Sequence, residues 1–163
     1  MAYLLDADVF IRAKNLHYGF DFCPAFWEWL ANGNAAGTVA SVEKVGDELL
    51  AGSDDLADWA KDRGPAFFAR PDASVATAFG NLSAWASSGH YEPAATQVFL
   101  QKADYYLVAQ ALAGGHVVVS HEVPSNSIRR IKVPDACLAF GVKCMSPYEM
   151  LRLEHARFIL GGS

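Results

Sequence analysis

Two carboxylates in this sequence each follow a short apolar run that is typical of a buried strand. Asp6 comes directly after residues 2–5, and Glu122 comes shortly after residues 117–119. The carboxyl ends of parallel strands open at the same edge of a sheet, so we expect both acids to face one crevice. Ser120, at the end of the strand predicted over residues 116–120, is placed to orient one of these carboxylates.

A third carboxylate, Asp104, lies in the first turn of a helix predicted over residues 102–113. The positions three, four, seven and eight residues later are apolar: Leu107, Val108, Ala111 and Leu112. Asp104 therefore centres the apolar face, where an unpaired carboxylate costs several kcal/mol unless it is protonated or binds a cation. This placement favours a metal-binding or catalytic role. The alternative is an ordinary first-turn aspartate, which the helix dipole stabilises.

A fourth carboxylate, Glu48, lies on a helix predicted over residues 42–50. At 100° per residue it borders the face that carries Val45 and Leu49, whereas Asp47 points toward solvent. Glu48 is therefore the acid of this helix that we expect near the crevice. The alternative is a salt bridge at the rim.

The chemistry of such a cluster depends on its oxygen ligands. Like charges held close together raise one another's pKa, and a divalent cation relieves the repulsion. Carboxylates without His or Cys ligand spacing favour Mg²⁺ or Mn²⁺ over zinc. We expect Asp6, Asp104 and Glu122 to bind the metal and Glu48 to assist as a ligand or through a bound water. Metal-assisted phosphodiester hydrolysis is the natural reaction.

The elements that must position these acids alternate between strand and helix. Strands are predicted at residues 2–5, 37–40, near 67, at 116–120 and near 142. Helices are predicted at residues 24–32, ended by Gly33; at 42–50, capped by Ser41; after Ser53, Asp72 and Pro93; at 102–113; from Pro134; and at 147–153. The alternation predicts an α/β protein, a three-layer α/β/α sandwich with a mainly parallel central sheet. We expect one domain over residues 1–155 and a C-terminal tail over 156–163.

Composition and charge narrow the class of protein. The chain has 163 residues, 52% of them hydrophobic, and a formal net charge of −5. No apolar run reaches the roughly 20 residues of a membrane span, and the first residues lack a signal peptide's basic start. Three cysteines without CxxC spacing fit reduced thiols, so we expect a cytoplasmic protein without membrane association.

A net negative chain repels a polyanion unless cations gather at the site. The cations nearest in sequence to the acids are candidates for binding substrate phosphates, and the alternative is that they are solvated surface residues: Arg12, Lys14, Arg129, Arg130 and Lys132. Asp8 and Asp135 are additional acidic candidates. Asp135 is equally well explained as a first-turn helix acid after Pro134.

The order Asp6, Glu48, Asp104, Glu122 resembles the pattern of acids in the PIN domain superfamily. The resemblance spans nearly the whole chain, and a prokaryotic, usually uncharacterised branch of PIN-like proteins is similar in residues 3–9, 18–30, 47–49, 103–107, 118–122 and 131–137. It implies a Mg²⁺- or Mn²⁺-dependent ribonuclease, often the toxin of a toxin–antitoxin pair, with an RNA substrate, a small antitoxin partner and a homodimer. Many relatives carry Asp where this chain has Glu122, so the resemblance leaves a one-metal site open.

Two other functions compete with the nuclease. Asp6 and Asp8, two residues apart after a predicted strand, also resemble the DxD motif of haloacid-dehalogenase-like phosphatases. In that family's mechanism Asp6 would be the nucleophile and Asp8 the acid. That family needs a later Lys and an Asp pair after another strand, which residues 119–122 do not supply. The other alternative is a protein of the same fold with little catalysis that acts through a protein partner, docked on Trp27 and Trp29 or on residues 94–100. Burial in the core is the competing explanation for most of these apolar residues, and the sequence favours it.

Overall fold

A parallel five-stranded sheet forms the centre of the protein. The computed structural model describes residues 1–160. The strands are β1 (Tyr3–Leu5), β2 (Val39–Val42), β3 (Phe68–Ala69), β4 (Val117–Val119) and β5 (Cys144–Met145). Their order across the sheet is β3-β2-β1-β4-β5, and every neighbouring pair is parallel.

Helices connect the strands in chain order. They are α1 (Ala7–Arg12), α2 (Pro24–Ala35), α3 (Glu43–Leu50), α4 (Asp55–Arg63), α5 (Ala76–Ala86), α6 (Pro93–Gln101), α7 (Ala103–Gly114), α8 (Val133–Ala139) and α9 (Pro147–Leu153). A π-helical turn, Ala13–His17, extends α1. Within residues 1–160 the helices are too short or too polar to cross a lipid bilayer.

The strand order explains the three layers. The chain moves outward from β1 through β2 to β3, then crosses the sheet to β4 and β5 on the other side of β1. Parallel crossovers are right-handed, so this reversal of direction places the helices before β3 on one face and those from α5 to α8 on the other. The expected α/β sandwich with a parallel central sheet is confirmed.

Both faces of the sheet are covered by apolar packing. On the first face Trp59 of α4 packs against Phe10 of α1 at 5.7 Å and Trp27 of α2 at 5.0 Å between ring centroids. On the second face the apolar side of α7 is fully buried at Leu107 and Val108. The chain adds strands on one side of β1 and then on the other, and this reversal of strand order leaves a crevice at the carboxyl ends of β1 and β4, where ligands bind in open parallel sheets.

Two local predictions from the sequence are wrong. Helix α2 does not end at Gly33 but continues to Ala35, because Gly33 allows close packing rather than a stop: a Cβ there would lie 3.0 Å from Cγ2 of Val39. Ser41 does not cap α3. It belongs to β2, and its buried hydroxyl donates to the carbonyl of Leu5 at 2.5 Å.

The C-terminal part of the chain also differs from expectation. The last strand, β5, lies two residues beyond the position expected near Val142, whereas α9 begins and ends where the sequence predicts. Phe158, beyond His155, packs on the domain against the rings of Tyr18 and Phe26, whereas Ile159 and Leu160 are exposed. The expected domain boundary at residue 155 stays a prediction, and residues 161–163 of the expected tail lie outside the described residues.

Candidate functional site

Asp6 links the end of β1 to the start of α1. The register of β1 and β4 pairs Leu5 with Val119, and the Asp6 amide donates to the Val119 carbonyl at 2.8 Å. Its Oδ1 caps α1 by accepting from the Ala7 amide at 2.7 Å. Its Oδ2 accepts from the Ser120 hydroxyl at 2.8 Å. Only 4% of Asp6 is exposed, so the carboxylate is fixed and almost dehydrated.

The chain after β4 is tied to the same helix start. Ser120 Oγ accepts from the Glu122 amide at 3.1 Å while it donates to Asp6, as the expected orienting role requires. The two carboxylate oxygens of Asp8 accept from the His121 amide at 3.2 and 3.1 Å. These contacts hold Glu122 against the end of β1 and leave Asp8 as an anchor of the turn.

Asp104 lies in the first turn of α7. Burial, with smaller contributions from Glu122 and Glu48, raises its pKa to about 6 against the opposing effect of Lys102 and Arg130. The helix dipole favours a negative charge at this position, but burial and the neighbouring acids outweigh it.

The three acids that the sequence nominated as metal ligands converge. Carboxylate oxygens of Asp6, Asp104 and Glu122 all lie within 4.8 Å of one another. Burial raises the pKa of Asp6 well above its usual range, with Asp8, Asp104 and Glu122 adding to the shift. Glu122 Oε2 is buried without a hydrogen-bond partner, and the nearest guanidinium nitrogen of Arg130 is 3.8 Å from Oε1. The cluster therefore has an unsatisfied acceptor and uncompensated negative charge.

Glu48 borders the crevice near which the sequence places it. It lines the cavity of about 450 Å³ that contains Asp6 and Glu122, but it is exposed and outside the cluster of converging oxygens. The prediction that Val45 and Leu49 lie on the buried face of α3 is confirmed. Glu48 differs from them because its side of α3 borders the open cavity instead of the core.

The candidate phosphate-binding cations divide into two groups. Arg12, Arg130 and Lys132 line the acidic cavity. Lys14 does not line this cavity, and its ammonium pairs with Asp54 at 2.9 Å. Arg129 lines a neighbouring cavity. Closeness in sequence did not place Lys14 at the cavity, because residues two positions apart on a helix point in different directions.

Asp135 is not in the cavity but supports the loop that closes it. Its two carboxylate oxygens accept from the Ser125 amide at 3.3 and 3.2 Å, and Ser125 Oγ accepts from the Ser127 amide at 3.1 Å. Asp135 also lies in the first turn of α8. The contacts explain this residue as a loop anchor, in agreement with the helix-acid alternative.

Replacing Asp135 with Ala is expected to lower the free energy of unfolding by about 1 to 2 kcal/mol, since it removes a charged acceptor from a partly buried amide. Asp135→Asn keeps one acceptor oxygen and is expected to lose less. Urea denaturation of both variants measures the difference. Equal stability of Asp135→Ala and the wild type would show that the loop holds without this contact.

His121 is a residue of the cavity that sequence reasoning missed. Burial lowers its pKa to about 4, and Arg12 and His17 contribute. Its ring lies 5.8 Å from that of His17 and 5.7 Å from that of Tyr148, and His17 Nε2 is 3.0 Å from the Tyr148 hydroxyl. These residues come from three distant segments, so no local pattern signals their meeting.

The fold and the site together define the class of protein: a parallel α/β domain with three acids at the carboxyl edge of its sheet that could hold a metal ion. The chain belongs to the family described as a domain of unknown function (DUF4411), which matches residues 3–158. The match covers every strand and all the acids of the cluster. No curated protein and no solved structure matches the chain.

Proposed function

We propose that this protein is a Mg²⁺- or Mn²⁺-dependent nuclease that hydrolyses phosphodiester bonds in RNA. The convergence of Asp6, Asp104 and Glu122 at the carboxyl edge of the sheet carries the proposal. Three carboxylates packed this closely repel one another, and a site with raised pKa values is a strong functional candidate. The resemblance to PIN domains supports RNA as the substrate class.

The donor set fits a hard divalent cation. Asp6, Asp104 and Glu122 supply only oxygen ligands, as Mg²⁺ and Mn²⁺ prefer, and the unpartnered Glu122 Oε2 is an acceptor that such an ion would satisfy. When bound, the ion supplies Lewis-acid stabilisation of the phosphate and a water of lowered pKa.

The residues around the cluster have separate tasks in this proposal. Glu48, exposed at the cavity wall, accepts a proton from the attacking water or holds that water through a hydrogen bond. Arg12, Arg130 and Lys132 neutralise the substrate phosphates from the rim of the same cavity. Ser120 orients Asp6 through its hydroxyl.

The phosphatase alternative receives less support from the contacts. It assigns Asp8 to proton transfer at the substrate, but both Asp8 oxygens accept from the His121 amide. The carboxylates that converge with Asp6 are Asp104 and Glu122. A metal-dependent nuclease uses all three acids, whereas the phosphatase mechanism gives Asp104 and Glu122 no role.

The test is incubation of the purified protein with end-labelled single-stranded RNA and DNA in EDTA, Mg²⁺ and Mn²⁺. Fragments that form only with metal, and from RNA in preference to DNA, are the expected result. Intact RNA in all three conditions would contradict the nuclease proposal and favour the alternative of a partner-binding protein.

Replacing Ser120 with Ala is expected to weaken Mn²⁺ binding by about ten- to a hundredfold, because residues that orient metal ligands typically have effects of this size. The change removes the hydroxyl that holds both Asp6 and the Glu122 amide. Isothermal titration calorimetry gives the affinity. Ser41→Ala is the matched control, since Ser41 is an equally buried serine that bonds only to the Leu5 carbonyl. Equal Mn²⁺ affinities for the two variants would contradict the orienting role.

A further inference from the structure

A second cavity adjoins the acidic cluster on the side of α6. Its volume is about 220 Å³, and we call it the lateral groove. Ala94, Val98 and Phe99 of α6 form one wall, and Ile131 forms part of the other. Asp104 lines the groove and also belongs to the acidic cluster, so the groove and the cluster meet at this residue.

Cations surround the apolar walls of the lateral groove. Lys102, Arg129 and Arg130 line it, and Arg130 lines the acidic cavity as well. The ion pair of Arg129 with Glu92 is 3.7 Å long and that of Arg130 with Glu122 is 3.8 Å long, and both guanidinium groups are largely exposed. The Arg129–Glu92 pair is exposed on both sides and therefore weak. The Arg130 guanidinium is more than half exposed at a long distance from the largely buried Glu122, so both guanidinium groups can reach a ligand.

The walls of the groove are held in place before any ligand arrives. The Glu92 amide at the start of α6 donates to the Ile128 carbonyl at 2.9 Å, which joins the helix to the loop opposite. The buried Thr96 hydroxyl donates to the Ala86 carbonyl at 2.6 Å and fixes α6 against α5. A preformed site requires less ordering on binding, which favours affinity.

We propose that the lateral groove binds one nucleobase of the substrate strand, next to the phosphate that is cleaved. The inference rests on the proposed nuclease function, since the groove opens onto Asp104. Apolar walls with arginines at the rim suit a flat aromatic base whose neighbouring phosphates are anionic. The volume is below the roughly 300 Å³ at which pockets for drug-sized ligands begin, so it suits a base and not a whole nucleotide. A paired base cannot enter, so the groove selects single strands.

The test compares two fluorescein-labelled strands by fluorescence anisotropy in Ca²⁺: hexaadenylate RNA and the same ribose-phosphate chain with every base removed. Wild type is expected to bind the base-bearing strand about tenfold more tightly, the order of effect that stacking of one base produces. Val98→Trp fills the groove from a position that is 48% exposed and is expected to abolish this preference. Leu138→Trp is the control, because Leu138 is 78% exposed and lines neither cavity.

The outcomes separate this inference from the nuclease proposal. Equal binding of both strands by the wild type, or an unchanged preference in Val98→Trp, overturns the inference even if the protein cleaves RNA in Mg²⁺. Loss of the preference in Val98→Trp but not in Leu138→Trp supports the base site even if no metal yields cleavage. A Val98→Trp variant that binds RNA normally but no longer co-purifies with a small protein overturns the inference and assigns the groove to that protein.

Discussion

Replacing Asp104 with Asn is expected to lower the rate constant of Mg²⁺-dependent RNA cleavage by at least about a hundredfold. The substitution keeps the size of the side chain and removes one negative charge from three acids whose oxygens lie within 4.8 Å. A bound metal contributes several kcal/mol to transition-state stabilisation, and about 2.7 kcal/mol corresponds to a hundredfold in rate. Single-turnover cleavage of labelled single-stranded RNA, with protein in excess, measures the chemical step directly.

The control for this experiment is Asp47→Asn, which makes the same change at an exposed aspartate on α3. It is expected to cleave at the wild-type rate, and it passes through the same purification. Cleavage that persists at equal rates in wild type, Asp47→Asn and Asp104→Asn would indicate a contaminating nuclease. Loss of activity in Asp104→Asn alone, with the fold intact by circular dichroism, would assign the reaction to the acidic cluster.

The convergence of the acids was predictable because local patterns determine it. Asp6 and Glu122 follow buried strands, and the parallel register of β1 and β4 brings such positions to one edge. Asp104 was recognisable because a carboxylate in the middle of an apolar helical face conflicts with the core around it. All three positions can be recognised from the periodicity of apolar residues in strands and helices, which can be read from the sequence alone.

The rest of the site depends on contacts that no local pattern contains. The anchoring of Asp8 to the His121 amide and of Asp135 to the Ser125 amide arises in an irregular loop, where the hydrogen-bond partners follow from the path of the chain. The lateral groove forms where this loop meets α6. Gly33 and Ser41 were misassigned for a related reason: tertiary contacts with neighbouring strands, not helix capping, explain both residues.

Without metal, Asp104→Asn is expected to be more stable than the wild type at pH 7.5, by about 2 to 3 kcal/mol, and equally stable near pH 4. The pKa of Asp104 is about 6 in the folded chain, above the value near 3.9 of an unfolded aspartate. Between these two values the folded state holds the proton more strongly than the unfolded state does. Stability therefore falls as the pH rises from about 4 to 6, and the cost is fully present above pH 6.

The comparison of the two proteins isolates this effect from an opposing one. The pKa of His121 is lowered to about 4, so its half-buried neutral ring makes stability rise with pH over an overlapping range. That contribution is present in both proteins and cancels in their difference. Urea denaturation in EDTA from pH 4 to 8 gives the difference curve, with Asp47→Asn as the control that is expected to stay flat.

Adding metal should reverse the order of stability. Ligand binding stabilises the folded state by about 2.7 kcal/mol at a hundred times the dissociation constant, and only the wild type retains all three charged ligands. At pH 7.5 in Mn²⁺ the wild type is therefore expected to equal or exceed Asp104→Asn, whereas in EDTA the variant is the more stable. Unchanged stability in both conditions would mean that the three carboxylates do not interact in solution. The reversal would link the instability of the acidic cluster to the binding of a cation, since the same charge that destabilises the apo fold binds the metal.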